Sequence, residues 1–220
     1  MKSKIKLILG NCREEIKNIP EGSIDLIVSD PPYNQKCRYS GYNDNLPEDE
    51  YRKMLRSVFS DRKSVVIHYP EETINYLSDL GKCEQVVAWV YNSNTAKQHR
   101  LITWRNCQPD MRAIGQDYKN PNDKRIAKRI LEGKRARLYD WWEIDQVKNV
   151  SKDFDHPCPI PVEIARRIIL LTTKPGDVVL DPFMGSGTTG VACKELGRSF
   201  VGIEISKNYF EVAKRRIGSA

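Results

Sequence analysis

Val178-Val-Leu-Asp-Pro-Phe-Met-Gly-Ser-Gly-Thr-Thr-Gly190 decides how the rest of the chain is read. Its first four residues, Val178–Asp181, are a short apolar, β-branched run, the signature of a buried strand. The run breaks into a glycine-rich turn, and Val191–Leu196 continues as a helical stretch ended by Gly197, a natural residue just past a helix C-terminus. Glycines in such a turn let the backbone approach a ligand closely while the helix N–H groups point at it. Gly185, Gly187 and Gly190 satisfy G-x-G-x-x-G, and the next apolar run, Phe200–Glu204, ends in a carboxylate able to accept from both ribose hydroxyls of a nucleoside. No Lys precedes Ser or Thr in the turn, which excludes a phosphate-cradling Walker loop. The stretch therefore predicts a nucleoside cofactor, with a nicotinamide dinucleotide as one candidate.

Further runs of the same kind lie at Lys4–Leu9, Ile24–Ser29, Ser64–His68 and Val86–Tyr91. Between them are helical patterns: Tyr51, Met54, Leu55, Val58 and Phe59 share one face, as do Ile164, Ile168 and Leu171 after Pro161. Strands alternating with helices predict a doubly wound, mostly parallel α/β sheet. Asn34–Pro47, rich in Asn, Gly and Tyr, reads as a mobile loop. Residues 92–150 match no further βα unit and read as a small inserted basic subdomain, leaving 1–91 and 151–220 as the core.

That insertion carries the charge. It holds 13 Lys and Arg against 7 Asp and Glu, so it supplies six of the seven net positive charges of the 220-residue chain. Trp104, Tyr118, Tyr139, Trp141 and Trp142 are interleaved with the cations, a composition suited to phosphates and unstacked bases. A solvated helix face is the other reading, because Lys124, Arg125, Lys128 and Arg129 recur at helical spacing. No apolar run reaches the roughly 20 residues of a membrane helix, and the apolar core of Met1–Gly10 is too short for a signal peptide. The six cysteines are widely spaced, with no CxxC and no Cys/His cluster. A disulfide framework and a metal site are therefore not expected, and the cytoplasm is the expected compartment.

At the end of the second predicted strand stands Asp30-Pro-Pro-Tyr33, followed by Asn34. Open α/β sheets bind ligands at such strand ends. Two prolines stop the chain re-entering regular structure, which leaves a carboxylate, unpaired carbonyls and an aromatic ring close together. A nucleobase amine is a poor nucleophile because its lone pair is delocalised into the ring. The Asp30 carboxylate and Pro31 carbonyl can hold its two N–H bonds and draw the nitrogen towards a tetrahedral form, while Tyr33 stacks on the extruded base.

Asp30-Pro-Pro-Tyr-Asn34 together with Asp181-Pro-Phe-Met-Gly-Ser-Gly-Thr-Thr189 resembles the amino-group DNA methyltransferases that use S-adenosylmethionine. The order, tetrad first, basic segment second and glycine loop last, resembles their permuted β class, and the likeness runs from about Leu7 to Arg216. It implies a seven-stranded, Rossmann-like methyltransferase sheet in which Lys4–Leu9 pairs beside Phe200–Glu204. It also implies a target-recognition role for 92–150. Catalysis falls to Asp30, Pro31, Pro32 and Tyr33. Phe183, Gly185, Ser186, Gly187, Thr188 and Thr189 would line the methionine moiety, with Asp30 and Asp181 beside it. Glu204 would hold the ribose hydroxyls, with Ile205 against the adenine. The family's Gly-Asp-Cys appears as Gly10-Asn11-Cys12, so Asn11 and Cys12 would meet the adenine edge. His156-Pro-Cys-Pro-Ile-Pro161 resembles the family's His-Pro-Thr-Gln-Lys-Pro near the cofactor carboxylate, with Ile160 where Lys is usual.

The expected activity is methylation of adenine N6 in double-stranded DNA. Asp at the first tetrad position favours adenine, and the missing Lys resembles cytosine-N4 enzymes, the alternative; RNA amines come after these. Arg100, Arg105, Lys124 and Lys128 are the expected DNA contacts. A homodimer and a cognate restriction endonuclease are compatible with the resemblance. Cys158 precedes a helix instead of occupying its own loop and reads as structural, and His68 as a satisfied strand-end histidine. A dehydrogenase would leave the tetrad and the basic insertion unexplained.

Overall fold

The computed structural model describes residues 3–78, 80–93, 96–147 and 159–220. Among the described residues eight strands form the central sheet. In chain order they are β1 (Ile5–Leu9), β2 (Leu26–Ser29), β5 (Ser64–His68), β6 (Cys83–Val90), β7 (His99–Arg105), β10 (Trp141–Glu143), β11 (Val178–Asp181) and β12 (Ser199–Glu204). Across the sheet they lie in the order β1-β12-β11-β2-β5-β7-β6-β10. Every pairing is parallel except those of β7 with β5 and β6. β2 and β5 are buried along their whole length, as central parallel strands are.

Alternate strand residues feed two cores. Leu26, Val28, Val65, Ile67 and Val179 join the core beneath α5 (Val162–Thr172), α6 (Thr188–Glu195) and α7 (Lys207–Ser219). Ile27, Val66 and Leu180 join the other, with α1 (Cys12–Glu15), α2 (Glu48–Phe59) and α3 (Pro70–Leu77). The helices thus cover both faces, and the expected α/β class and strand neighbours are present. Leu9 lies opposite Glu204, as the resemblance implied.

Three expectations need correcting. The resemblance implied seven strands, of which the sequence located six; among the described residues the sheet has eight, the last being Trp141–Glu143, which returns from the insertion to pair with Ala88–Val90 at the edge. Residues 99–105 belong to the sheet and not to the insertion, so the part standing outside the core starts after Arg105. It consists of a small ladder, β8 (Gly115–Gln116) with β9 (Ala136–Arg137), and the basic helix α4 (Lys124–Leu131), capped by Asp123. Trp104 and Trp142 are core residues, packed edge-on at 6.2 Å, and offer no face to a base. Finally, Asn34–Pro47 is not irregular throughout: it contains the hairpin β3 (Arg38–Tyr39) and β4 (Tyr42–Asn43). Buried Asp44 accepts the backbone N–H groups of Asn34, Gln35 and Cys37 at 2.8, 3.0 and 2.9 Å. Among the described residues no helix is long and apolar enough to cross a membrane.

Candidate active site

β2 and β11 are neighbours at the point where the sheet's strand order reverses, the place where open α/β folds bind ligands. Their ends carry the two motifs. Ser29, at the end of β2, donates to the Asp181 carboxylate at the end of β11 over 3.1 Å, joining segments 152 residues apart. A cavity of about 290 Å³ opens there, lined from one side by Asp30 and Pro32 and from the other by Asp181, Phe183, Gly185 and Glu204.

In the glycine turn, Gly185 and Gly187 take φ of +52° and +82°, and Gly187 starts α6 from the left-handed region. A Cβ on Gly187 would come within 2.8 Å of the Ala213 Cβ. Glycine is thus required for α6 to pack on α7 as well as for the turn. Thr189 donates to Asp181 at 2.7 Å, and Phe183 N–H donates to it at 3.1 Å. Ser186 accepts from Arg216 through both its carbonyl and its hydroxyl, at 2.6 and 2.7 Å. Ser186, Thr188 and Thr189 are buried and line the cavity.

Glu204 accepts from Gly185 N–H and Ser206 N–H, both at 2.8 Å, which aims its carboxyl into the cavity beside Ile205. Asn11 caps α1 by accepting from Arg13 N–H at 3.0 Å, and Cys12 follows it on the cavity wall. Burial pushes the Cys12 thiol up to about 12, so this sulfur is a contact and no nucleophile. Burial also raises the carboxyls of Asp181, to about 7, of Glu204 and of Asp30. Three acidic side chains on one cleft suit a ligand that brings positive charge, and a strand-end glutamate suits a diol. The cleft thus fits a sulfonium nucleoside. His156 lies outside the described residues.

The tetrad is held by a chain of hydrogen bonds that the sequence does not reveal. Tyr69 N–H donates to His68 Nδ1 at 3.0 Å, which leaves the His68 proton on Nε2, 3.0 Å from the Tyr51 hydroxyl. That hydroxyl in turn donates to the Pro32 carbonyl at 2.7 Å. Burial keeps His68 neutral, its pKa pushed down to about 3. Tyr33 is not presented to a base: its ring stacks on His68 with centroids 4.3 Å apart, and its hydroxyl donates to Asp30 Oδ1. Tyr51 escaped the sequence reading because it occupies an apolar helix position and resembles plain core.

Of the four expected DNA contacts, the structure moves two. Arg105 is 3% exposed and donates to the Gly81 carbonyl. Arg100 is equally buried, with Nη1 3.5 Å from Asp30 Oδ2. Both point inward because β7 is a sheet strand, so neither is an exposed phosphate contact. Lys124 and Lys128 stand exposed on α4. Lys119 lies over the stacked rings of Tyr139 and Trp141, 4.8 and 4.3 Å from their centroids, an exposed group without a counterpart among the expected contacts. Among the described residues no cluster of His, Cys, Asp or Glu is placed to hold a metal.

Residues 24–215 match the N6/N4 DNA methylase family. The chain is 31% identical to the type II methyltransferase M.HpaI of Haemophilus parainfluenzae, over 97% of this chain and 74% of that protein. It is 30% identical to the DNA adenine methyltransferase YhdJ of Escherichia coli strain K12, over 97% and 83%. Among solved structures, M1.HpyAVI in complex with SAM superposes with a TM-score of 0.65 at 26% identity, over 97% of this chain and 98% of that one. The cytosine-N4-specific PvuII DNA methyltransferase shares the fold, with a TM-score of 0.69 at 17% identity over 98% and 87%.

Proposed function

Because the chain belongs to the N6/N4 DNA methylase family, we propose that it transfers a methyl group from S-adenosylmethionine to N6 of an adenine flipped out of double-stranded DNA. The observation that carries this reading is the meeting of the tetrad and the glycine turn on one cleft, tied by Ser29 and Asp181. The name of the relative YhdJ, an adenine enzyme, and Asp at the first tetrad position support adenine. Cytosine N4 is the second reading, favoured by Ile160, which lines the cleft where the resemblance expects Lys.

Bound S-adenosylmethionine would supply a methyl group on a cationic sulfur. Glu204 would hold its ribose, Asn11, Cys12 and Ile205 its adenine, and the backbone from Phe183 to Thr189 its amino-acid end, with Asp181 on the sulfonium side. Asp30 and the Pro31 carbonyl accept the two N–H bonds of the target amine and pull its lone pair out of conjugation. For this the amine must displace the Tyr33 hydroxyl from Asp30, which frees the ring to turn and stack on the base. The nitrogen would gain the methyl carbon as the methyl–sulfur bond breaks, the bonding pair staying on sulfur as a neutral thioether, and would lose a proton through Asp30 or water. Tyr51 and His68 keep the Pro32 carbonyl, and so the tetrad, in place. Lys124 and Lys128 are the outer DNA contacts, in a target-recognition segment that begins after Arg105. M.HpaI is named a type II methyltransferase, which supports a setting with a cognate endonuclease.

The test is incubation with unmethylated duplex DNA and isotopically labelled S-adenosylmethionine, then hydrolysis to nucleosides and mass spectrometry. Label in N6-methyladenine is the expected result. Label in N4-methylcytosine would replace the base and keep the mechanism. Asp30→Ala should bind cofactor normally and transfer no label, and full turnover by that variant would sink the mechanism.

A further inference from the structure

Arg100 is a buried cation with little to justify it as a structural ion pair. Its side chain is 3% exposed, its contact with Asp30 is a single one at 3.5 Å, and its Nε has no hydrogen-bond partner among the described residues. Its guanidinium carbon instead lies inside a ring of aromatics, 5.1 Å from the Trp89 ring, 5.3 Å from Tyr33 and Tyr69, and 5.9 Å from Tyr91. Such burial costs more than one long ion pair returns, so the position calls for a function. The antiparallel strand β7 makes it: Arg100 lies opposite Trp89 in the ladder with β6, and Leu101 opposite His68 in the ladder with β5, which brings the guanidinium over the tetrad.

We propose that Arg100 is a positioning residue for methyl transfer: its guanidinium holds the Asp30 carboxyl in the ionised, accepting form inside a pocket that would otherwise protonate it. This rests on the proposed function. A protonated Asp30 offers a donor where the amine needs an acceptor, so transfer requires the carboxylate.

The groups around Asp30 come from four elements. Tyr33, on the same turn, donates to Oδ1 and stays neutral. Asp181, at the end of β11, adds like charge when ionised. His68, at the end of β5, is neutral. Arg100, on β7, is the only cation among the described residues in an ion pair with Asp30. Burial raises the Asp30 carboxyl, and Arg100 is the largest influence opposing it.

The experiment measures kcat/KM against pH for the wild type, Arg100→Met and Arg100→Lys with duplex DNA and S-adenosylmethionine. In Arg100→Met the acid limb should move up by about one pH unit or more, as expected for removing an opposite charge at this range. The loss should thus deepen as pH falls, reaching about tenfold or more once pH lies below both limbs, and shrink towards pH 9. Arg100→Lys should restore the limb's position at a lower plateau. A loss equal at every pH would overturn the proposal. Carboxyl 13C NMR of wild-type protein labelled at aspartate, with the Asp30 signal assigned by its loss in Asp30→Asn, gives a second reading that needs no Arg100 variant to fold. Asp30 ionised at pH 7 is expected, and Asp30 protonated there would overturn the proposal. If the wild type methylates no base, the proposed function fails, while the same titration compared between wild type and Arg100→Met still judges whether Arg100 keeps Asp30 charged.

Discussion

Asp181 accepts three hydrogen bonds and still changes charge across the neutral range, because burial pushes its carboxyl up to about 7. A sulfonium ligand favours the ionised form, so affinity for S-adenosylmethionine should rise from about pH 6 to about pH 8. Asp181→Asn should flatten that rise, and calorimetric titration at several pH values checks it. A variant with the wild-type slope would assign the pH dependence elsewhere. In the free protein the same shift acts against the fold. The native state holds the proton more tightly than the unfolded chain, so the stabilising contribution of Asp181 is complete in acid and lost as pH rises to about 7. At this scale the sequence shows the residues that belong to linear motifs, Asp30, Asp181 and Glu204 among them. It hides Arg100, Tyr51 and His68, whose meaning appears only when strands pair. An arginine in a basic block looks like a DNA contact until its strand is placed inside a sheet.

The hairpin Arg38–Asn43 is the element that sequence describes least well. Asn, Gly and Tyr between residues 34 and 47 signal a loop, and the chain indeed turns there. Its shape comes from Asp44, which gathers three N–H groups, and from Asn34, whose side chain exchanges hydrogen bonds with the backbone of Leu46 at 2.9 and 2.6 Å. Tyr39, Gly41 and Tyr42 then line the cleft, with Gly41 close to the backbone of Ile205 and Ser206. Asp44→Ala leaves those donors without their acceptor, at a cost of about 2 kcal/mol or more to the local structure. The cofactor dissociation constant should rise about tenfold, the equivalent of roughly 1.4 kcal/mol of that cost. Thermal unfolding and cofactor titration read the two effects. A lowered Tm with unchanged cofactor affinity would show that the hairpin is not part of the cofactor's cover. β7 was illegible for a different reason: its apolar centre is short and bracketed by His99, Arg100 and Arg105, so charge outweighs pattern until β5 and β6 supply partners on both sides.

For the whole molecule, alternation of strands and helices is enough to foresee a doubly wound sheet. The edge strand Trp141–Glu143 is three residues long and carries no pattern of its own. The basic segment beyond Arg105 includes α4, which exposes Lys124 and Lys128. Replacing both by Ala should weaken DNA binding and make the dependence of log affinity on log salt shallower by about 1.8 if each meets one phosphate. Fluorescence anisotropy across a salt series measures this, and an unchanged slope would remove α4 from the interface. The pairing of β1 with β12 has a consequence for how the protein is made. Lys4 and Ser199, which bond across that pair, are 195 residues apart. At 5–20 residues per second, a ribosome needs roughly 10 to 40 s to deliver the partner strand. For that time Ile5–Leu9 waits outside its ladder, and the floor of the cleft, which β1, β2, β11 and β12 build together, does not exist. Cofactor therefore cannot template the nascent chain, and the protein depends on keeping an apolar strand from finding a neighbour's edge before its own arrives.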